Sequence, residues 1–570
     1  MQTVRLLLCV IFVFFAHGAY DWFNNQAQYV GPDVPSGKLI SLSFAPYHEG
    51  YSPLTKKYPL PEHIDNDLSL LADKVYNTRT YSSLGGMQPT PKLARKHQLT
   101  MLQGAWLGDN PKDNQIEIEA LINSANQNPD VVTRVMVGNE VLLRRDLSVD
   151  QLIDYIRTVK RAVKQPVSYA DVWSMYMKYP QLMKEVDFIT IHVLPYWEDE
   201  PVAVDEADEH LEKIVKQIED KAQEIAPGKP ILIGETGWPG AGRQRGAAIP
   251  SVVNEAKFIR AMIQVANRHG FDYNIVEAFN QSWKSHMEGV VGANWGLFSV
   301  DRKPVFPLTG RVYENPKWQS DFVLSTLVWL GIIACYFKKL QFISLTRKLV
   351  FLGITQILCI SLIDLAGFLW YTSYTSWERA YTACMVLANS VFGLIILARY
   401  SAILQEKHSS KTLVTWLGNL YLLFLLLAIV KTFALANNGR YLSFPIEQFT
   451  IPVWGIIGLM ICHSLKLGKH NLLNIAMTDL LNLQIPAYVY RGLSYLAYLA
   501  LPAMLLGEIW AFMNGSDLLL AHPGVSESLH YAVLYTVSNQ QLLVWLLFLL
   551  VLALPVWSNQ RQPTISNTVN

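Results

Sequence analysis

The hydrophobic pattern of this chain changes once, near residue 320. Between residues 38 and 310, short apolar runs alternate with longer amphipathic or polar stretches. This alternation predicts strands joined by helices and therefore a parallel sheet. From residue 321 onward the apolar stretches approach the ~20 residues that a helix needs to cross a bilayer core. We therefore expect an α/β domain followed by an all-α bundle of transmembrane helices.

The first pattern predicts a closed barrel. Segments such as 148–164 and 207–225 have helical spacing, and Ser148 with Gln151 forms a candidate capping box. Eight strand and helix units within this length match a (β/α)₈ TIM barrel. The predicted strands are Leu39 to Pro46, Val75 to Tyr81, Thr100 to Trp106, Thr133 to Gly138, Pro166 to Trp173, Phe188 to Leu194, Pro230 to Gly234 and Tyr273 to Phe279.

The second pattern predicts about seven membrane spans. We place them near 321–337, 349–371, 380–402, 412–436, 449–465, 492–513 and 541–557. The span near 449 is short, so six remains an alternative. Ionisable residues within the spans, notably Asp364 and Glu508, either mark a polar pathway or pair with neighbours, and we favour pairing.

Basic residues predict the orientation of these spans. They concentrate in alternate loops, and such loops usually face the cytoplasm. This places the C-terminal tail in the cytoplasm and the first 320 residues on the opposite face. The basic loops contain Lys338, Lys339, Arg347, Lys348, Lys407, Lys411, Lys466, Lys469 and Arg491, whereas the other loops contain Arg379 and Arg440.

The N-terminus has the pattern of an export signal. Arg5 precedes an apolar stretch from Leu6 to Ala16, and small residues at Ala16, Gly18 and Ala19 could flank a cleavage site. We expect a signal peptide at 1–19, an exported barrel domain at 20–320 and a membrane domain at 321–570. An uncleaved membrane anchor is the alternative, and either reading exports the barrel.

Charge and cysteine content narrow the classes further. The net charge of +1 conceals a mildly acidic first part and a mildly basic remainder, with 14 basic against 9 acidic residues in 321–570. Neither part has a basic stripe interleaved with aromatics, so we expect no nucleic-acid partner. The exported region has no cysteine. It is therefore held by core packing, without disulfides or a thiolate metal site.

Two glutamates stand where apolar runs stop. Glu140 ends the fourth predicted strand and Glu235 ends the seventh, and a buried carboxylate is costly unless it is paired or used. Strands four and seven face each other across a barrel mouth, so the two carboxylates can approach the ~5–5.5 Å that a retaining glycosidase uses. Taken singly, each glutamate could instead be a helix-cap neighbour or a loop ion-pair member. Their matched positions favour an acid and a nucleophile.

The other predicted strand ends are rich in aromatic and polar residues. Sugar faces stack on rings and sugar hydroxyls need fixed polar partners, so carbohydrate is the expected substrate class. No spacing of histidines and carboxylates suggests a metal site, and we expect no cofactor. These strand-end residues are Tyr47, His48, Arg79, Tyr81, Trp106, Asn139, Asp171, Trp173, Tyr196, Trp197, Trp238, Gln281, Trp283 and Lys284.

Three motifs in this order resemble glycoside hydrolase family 17, a family of β-1,3-glucan-active barrels. They are Val137 to Glu140, Ile233 to Pro239, and Glu277 to Lys284 followed by Glu288 and Trp295 to Phe298. The resemblance covers about residues 38–310. It implies that Glu140 is the general acid and base, that Glu235 is the nucleophile, and that Asn139 binds the 2-hydroxyl of the reacting sugar.

The resemblance includes one departure. Plant members usually have an acidic residue at the position of Gln281, whereas Lys284 and Glu288 match the family's polar cluster. The form of the motif resembles the bacterial branch, whose barrels often accompany membrane segments. Some of those enzymes transfer the cleaved glucan to another sugar, and the two glutamates do not distinguish transfer from hydrolysis.

Several side chains keep two interpretations. Trp283 and Tyr196 are either sugar platforms or rim packing, and Arg79 either orients Glu235 or the substrate, or forms a structural salt bridge. His192 and Glu277 lie within predicted strands, and we interpret them as core residues. We also expect Tyr81, Trp238, Lys284 and Glu288 to contact substrate.

Our leading hypothesis is a retaining β-1,3-glucan hydrolase or glucanosyltransferase in a multi-pass cell-membrane protein, with its barrel outside the cytoplasm. The expected partners are a β-glucan and the lipid bilayer, with glucan-synthesis machinery as a candidate. The alternative is a catalytically weak glycan-binding barrel that serves a membrane transporter or a synthase partner.

Overall fold

The computed structural model describes residues 2–467, 481, 483 and 486–558. It divides into two compact units. One unit comprises Ala27–Glu314 with Asn514–Ser528, and the other comprises Met1–Gln26, Asn315–Met513 and Leu529–Asn570. The N-terminal residues therefore group with the helical unit. Signal cleavage and the domain limits of 20–320 and 321–570 remain predictions.

The barrel unit is a closed sheet of eight parallel strands in sequence order. Leu42 of the first strand pairs with Ile275 of the eighth, which closes the ring. The predicted (β/α)₈ barrel is confirmed, and each of the eight predicted runs overlaps one strand. The strands are β1 (Leu39–Ser43), β2 (Val75–Thr80), β3 (Thr100–Ala105), β4 (Val132–Asn139), β5 (Val167–Val172), β6 (Ile189–His192), β7 (Ile231–Thr236) and β8 (Asp272–Ile275).

Helices follow the strands as the amphipathic segments predict. Ser148 and Gln151 form both hydrogen bonds of the predicted capping box at the start of the helix after β4. Numbered after the N-terminal helix α1 (Gln2–Asn24), they are α2 (Pro61–Leu71), α3 (Thr90–Lys96), α4 (Pro111–Gln127), α5 (Val149–Ala162), α6 (Trp173–Lys178), α7 (Leu182–Glu185), α8 (Ala207–Ile225), α9 (Val252–His269) and α10 (Ser285–Gly292), with short 3₁₀ turns at Pro35–Gly37 and Ser282–Lys284.

The eighth strand is shorter than its apolar run. Regular pairing stops at Ile275, although the run continues to Phe279. The chain beyond Ile275 still bonds its neighbours, because Ala278 N donates to Ser43 O at 2.9 Å and Glu277 N donates to Trp295 O at 2.9 Å. Glu277 therefore lies past the sheet, at the carboxyl end of the barrel.

The helical unit matches the predicted spans. All seven predicted stretches after residue 320 fall on long helices, and α1 brings to eight the described helices that are long and apolar enough to cross a membrane. Lys469 and the C-terminal tail lie outside the described residues. The helices of this unit are α11 (Trp318–Leu340), α12 (Leu345–Tyr371), α13 (Ser376–Leu404), α14 (Lys411–Asn437), α15 (Ile446–Leu467), α16 (Ala487–Met513), the part of α18 (Val525–Ser538) from Leu529 onward, and α19 (Gln540–Ser558); α17 (Ser516–Ala521) and the start of α18 belong to the barrel unit.

Candidate active site

Four strands place polar side chains at the same end of the barrel. Arg79 lies near the end of β2, Asn139 ends β4, His192 ends β6 and Glu235 lies near the end of β7. All four are buried. Because the strands are parallel and the barrel is closed, residues far apart in the chain meet at this rim.

The backbone around Glu140 is shaped by its neighbours. Gly138 has φ of +86°, and a Cβ there would lie 2.8 Å from Val141 Cγ2, so a larger residue is excluded. Glu140 itself has φ of +52°, in the left-handed region that non-glycine residues rarely adopt. Such strain costs on the order of 1–3 kcal/mol and often occurs at functional sites. From this backbone conformation Glu140 Oε1 lies 2.8 Å from His192 Nδ1.

The position of Glu235 is fixed by the close approach of β7 to β6 and by the guanidinium of Arg79. A Cβ on Gly234 would lie 2.5 Å from Thr190 Cγ2, so only glycine lets β7 approach β6 this closely. Arg79 is 1% exposed, and its Nη1 donates to Glu235 Oε1 at 3.1 Å and to Gly234 O at 2.7 Å. Arg79 Nη2 also donates to Asn139 Oδ1 at 2.5 Å. The guanidinium therefore holds the side chains of Asn139 and Glu235 together.

His192 lies between the two glutamates. Its Nδ1 is 2.8 Å from Glu140 Oε1, its Nε2 is 3.6 Å from Glu235 Oε1, and its side chain is fully buried. The interpretation of His192 as a core residue is correct for its burial but misses this contact. Its place near the end of the sixth apolar run is the one signal in the sequence, and the register with Glu235 on β7 comes from the structure.

The two carboxylates are close enough to act on one bond. An oxygen of Glu140, a ring nitrogen of His192 and an oxygen of Glu235 all lie within 4.8 Å of one another. This proximity of one oxygen from each glutamate is compatible with the carboxyl separation of about 5–5.5 Å in retaining glycosidases, which is shorter than the roughly 6.5–9.5 Å of inverting ones.

The same three side chains have metal-like spacing, but their surroundings disfavour a cation. Among the described residues, Glu140, His192 and Glu235 are the one group whose donors could hold an ion. The Arg79 guanidinium already neutralises Glu235 at 3.1 Å, and a divalent cation beside it would be repelled. His192 Nδ1 is hydrogen-bonded to Glu140 Oε1, so these two atoms already bind each other and not an ion. These residues therefore do not fit a resident metal.

The charges around Glu140 favour its ionised form. Burial raises the pKa of Glu140, but the His192 hydrogen bond and the positive charges of His192, Arg144 and Arg79 outweigh it, so the pKa is held below its usual range. Burial raises the pKa of the neighbouring Asp171 to about 6, although the Tyr169 hydroxyl donates a hydrogen bond to it.

Comparisons with known proteins match the barrel. The model of the BtgE/BtgC glycoside hydrolase domain matches residues 41–296. A glucan 1,3-beta-glucosidase of Arthroderma benhamiae is 27% identical over 258 residues, which cover 42% of this chain and 82% of that protein. The barrel is a glycoside hydrolase domain of family 17. The resemblance stated from the motifs is confirmed, and the domain is a glycosidase.

Two further proteins are similar to this chain. The probable family 17 glucosidase SCW10 of Saccharomyces cerevisiae is 26% identical, covering 36% of this chain and 53% of that protein. A crystal structure of the glycoside hydrolase family 17 beta-1,3-glucanosyltransferase from Rhizomucor miehei is 27% identical, covers 47% of this chain and 96% of that one, and has a TM-score of 0.41.

A second charged group of the glycosidase lies after β8. Lys284 Nζ is 2.8 Å from Glu277 Oε1, and Glu277 is 1% exposed. Burial raises the pKa of Glu277 to about 7, although Lys284 partly offsets this, and burial also raises the pKa of Glu288. Burial lowers the pKa of Lys284, but the surrounding glutamates outweigh it and raise the pKa above its usual range. Lys284 thus lies among three acids, Glu235 included.

The predicted aromatic residues divide into buried and accessible ones. Tyr196 and Trp238 are fully buried; Tyr196 Oη donates to Arg243 O at 2.5 Å, and Trp238 Nε1 donates to Ile249 O at 2.9 Å. Both rings are part of the core and offer no exposed face to a ligand, so the predicted substrate contacts of Tyr196 and Trp238 do not fit the structure. Trp283 is half-buried and lies edge to face against Tyr47 at 6.0 Å.

Two further rings lie against the guanidinium groups of arginine side chains. Tyr81 is half-buried, its hydroxyl donates to Ser43 Oγ at 2.9 Å, and the Arg79 guanidinium lies 4.9 Å from its ring centre. Trp106, at the end of β3, is 44% exposed and stacks under the guanidinium of Arg144 at 4.5 Å. Gln281, where the motif departs from plant members, accepts from Trp283 Nε1 at 2.8 Å.

Proposed function

We propose that this glycosidase domain cleaves β-1,3-glucan by a retaining mechanism with Glu235 as nucleophile and Glu140 as acid and base. The single observation that carries the proposal is the short separation of the two carboxylates, within 4.8 Å. The names of the relatives support the substrate: two of them are a glucan 1,3-beta-glucosidase and a beta-1,3-glucanosyltransferase.

In the first step an oxygen of Glu235 attacks the anomeric carbon, and the bond from that carbon to the glycosidic oxygen breaks. Glu140 gives its proton to the departing oxygen, so a glucosyl ester forms on Glu235 and Glu140 becomes a carboxylate. Arg79 positions Glu235 for the attack, since its guanidinium donates to the carboxylate at 3.1 Å.

In the second step Glu140 acts as base. It removes a proton from water or from a sugar hydroxyl, whose oxygen attacks the anomeric carbon and releases Glu235. The lowered pKa of Glu140 favours this step, in which the base must be ionised, and opposes the first step, in which Glu140 must carry the proton that it donates. Water gives hydrolysis and a sugar hydroxyl gives transfer.

Substrate contacts follow from the side chains that remain accessible. Asn139 Oδ1 is occupied by Arg79, which directs its amide nitrogen to a sugar hydroxyl. Trp283, Tyr81 and Trp106 supply ring surface, and Lys284 with Glu288 supplies polar contacts. We further propose that the helices tether this domain to a cell membrane, with the barrel outside the cytoplasm, the C-terminus inside and glucan-synthesis machinery as a partner.

The test is Glu235→Gln in the full-length chain, assayed on β-1,3-glucan oligosaccharides. We expect the turnover rate to fall at least ~10³-fold, because the amide cannot attack and the isosteric side chain still fills the site. An unchanged thermal unfolding midpoint is the control. Retained cleavage would remove Glu235 as nucleophile, and no cleavage by the parent would favour a binding-only barrel.

Product lengths from the parent enzyme separate the two outcomes of the second step. Only shorter oligosaccharides mean that water resolves the intermediate. Longer or branched products mean that a sugar hydroxyl does.

A further inference from the structure

The N-terminal helix α1 packs into the helical unit along one stripe. Leu6, Cys9, Val13 and His17 recur every three or four residues and are 0–8% exposed. The opposite face is apolar and exposed, with Phe15 at 67%. A helix that packs against protein on one side and presents apolar residues on the other has the character of a peripheral helix in a membrane bundle.

Polar contacts fix α1 against α12. Gln356 Nε2 donates to His17 Nδ1 at 2.9 Å, and Lys348 Nζ donates to Gln2 Oε1 at 3.1 Å. Gln356 is 4% exposed and Lys348 is 1% exposed. Both are therefore polar groups of α12 whose described side-chain partners come from α1.

The two ends of α1 also meet α11. Thr3 Oγ1 accepts from Gln341 Nε2, just after α11, at 3.3 Å. At the other end Trp22 lies edge to face against Trp318, the first residue of α11, at 6.5 Å. Between these contacts the ring of Phe322 lies 4.6 Å from that of His17. Helix α1 therefore runs antiparallel to α11 along its whole length.

Cleavage near residues 16–19 would remove these partners. The small residues that suggested a cleavage site lie inside the continuous helix Gln2–Asn24. Loss of Gln2 and His17 would leave Lys348 and Gln356 buried without the groups that pair with them. In a membrane helix an unpaired amide or ammonium group is costly, so the bundle depends on the segment that a signal peptidase would discard.

We propose that residues 2–24 are retained in the mature protein as its first membrane helix, held by α11 and α12. With crossings by the eight described helices that are long and apolar enough, both chain ends would lie on one side of the membrane and the barrel on the other. This arrangement agrees with the basic residues, because Gln341 and Lys348, which meet the start of α1, belong to the basic stretch 338–348 that runs from the end of α11 to the first turn of α12.

The first experiment asks whether α1 survives. The full-length chain with an epitope tag at each end is expressed in a membrane-bearing host, purified by the C-terminal tag and measured as an intact mass. We expect the N-terminal tag and residues 2–18 to be present. A mature N-terminus between residues 17 and 20 would overturn the proposal.

The second experiment asks where α1 packs. In a cysteine-free background, His17→Cys with Gln356→Cys should form a crosslink under mild oxidation, since the native side chains touch. A protease site between residues 26 and 27 then releases the tagged α1 fragment unless the crosslink holds it. Phe15→Cys with Gln356→Cys is the matched control, because Phe15 lies on the exposed face. Equal retention in the two pairs would overturn the packing against α12.

Discussion

The barrel and the helical unit both bury polar side chains, but they satisfy them in different ways. In the barrel, Arg79 donates to Glu235, 156 residues away, and to Asn139 on another strand. In the helical unit, buried threonines donate to the carbonyl four residues earlier in their own helix. These are Thr355 to Phe351 O at 2.6 Å, Thr432 to Ala428 O at 2.7 Å and Thr536 to Ala532 O at 2.8 Å.

These two kinds of hydrogen bonding have different consequences for function and for stability. A threonine that bonds its own helix needs no other element, and its hydroxyl can be lost without leaving a charge behind. The rim of the barrel gathers polar groups from four strands, three of them ionisable, and their burial depends on the contacts between them. In the barrel, the convergence of buried ionisable groups marks the candidate site, whereas the hydrogen bonds of these threonines to their own helix make polar groups compatible with an apolar surrounding.

The largest expected effect is at the centre of the convergent group. Arg79→Met should abolish cleavage and cost ~3–5 kcal/mol of stability, because Glu235 would remain buried without its cation. Urea unfolding of the full-length protein, followed by tryptophan fluorescence, measures the loss. Arg95→Met is the control: its pair with Asp130 is exposed, and no measurable shift is expected. Similar midpoints for the two variants would contradict the comparison.

A smaller effect is expected at His192, and it has a definite sign. His192→Ala removes the hydrogen bond that lowers the pKa of Glu140, while the burial that raises it remains. The protonated carboxyl band of Glu140, assigned in infrared spectra by difference from Glu140→Gln, should therefore persist to higher pH than in the parent. Turnover should fall ~10²-fold, since the acid loses its orientation.

His192→Asn is the matched control for this change, because its amide can donate from nearly the position of Nδ1. We expect this variant to keep the lower pKa. An unmoved Glu140 titration in His192→Ala would mean that the histidine only fills space.

The smallest effect is expected in the helical unit. Thr355→Val should change stability by less than ~1 kcal/mol and leave cleavage unchanged, because the carbonyl of Phe351 belongs to the same helix and the valine fills the same volume. The same urea experiment measures it. If Thr355→Val lost as much stability as Arg79→Met, the hydrogen bond of a threonine to its own helix would contribute far more to the stability of this unit than we expect.

Much of the fold could be predicted because its signals are local. The eight short runs and seven long ones differ in period and length, and each run reports its own element. The capping box at Ser148 and the glycines beside Glu140 and Glu235 are also local signals. The exposure of a side chain depends on residues that are distant in the sequence. Tyr196 and Trp238 follow strand ends, as the residues at the barrel rim do, and yet both are fully buried.

By itself the sequence determined a barrel, a set of apolar helices and two glutamates at strand ends. Only the tertiary structure decided that His192 lies between those glutamates, that Arg79 holds Glu235, and that α1 packs with α11 and α12. The physical reason is that these contacts join residues from about 50 to more than 300 positions apart. Hydrophobic periodicity shows which face of a segment is buried. Which distant side chains then come into contact is decided by the closure of the barrel and by the packing of the helices.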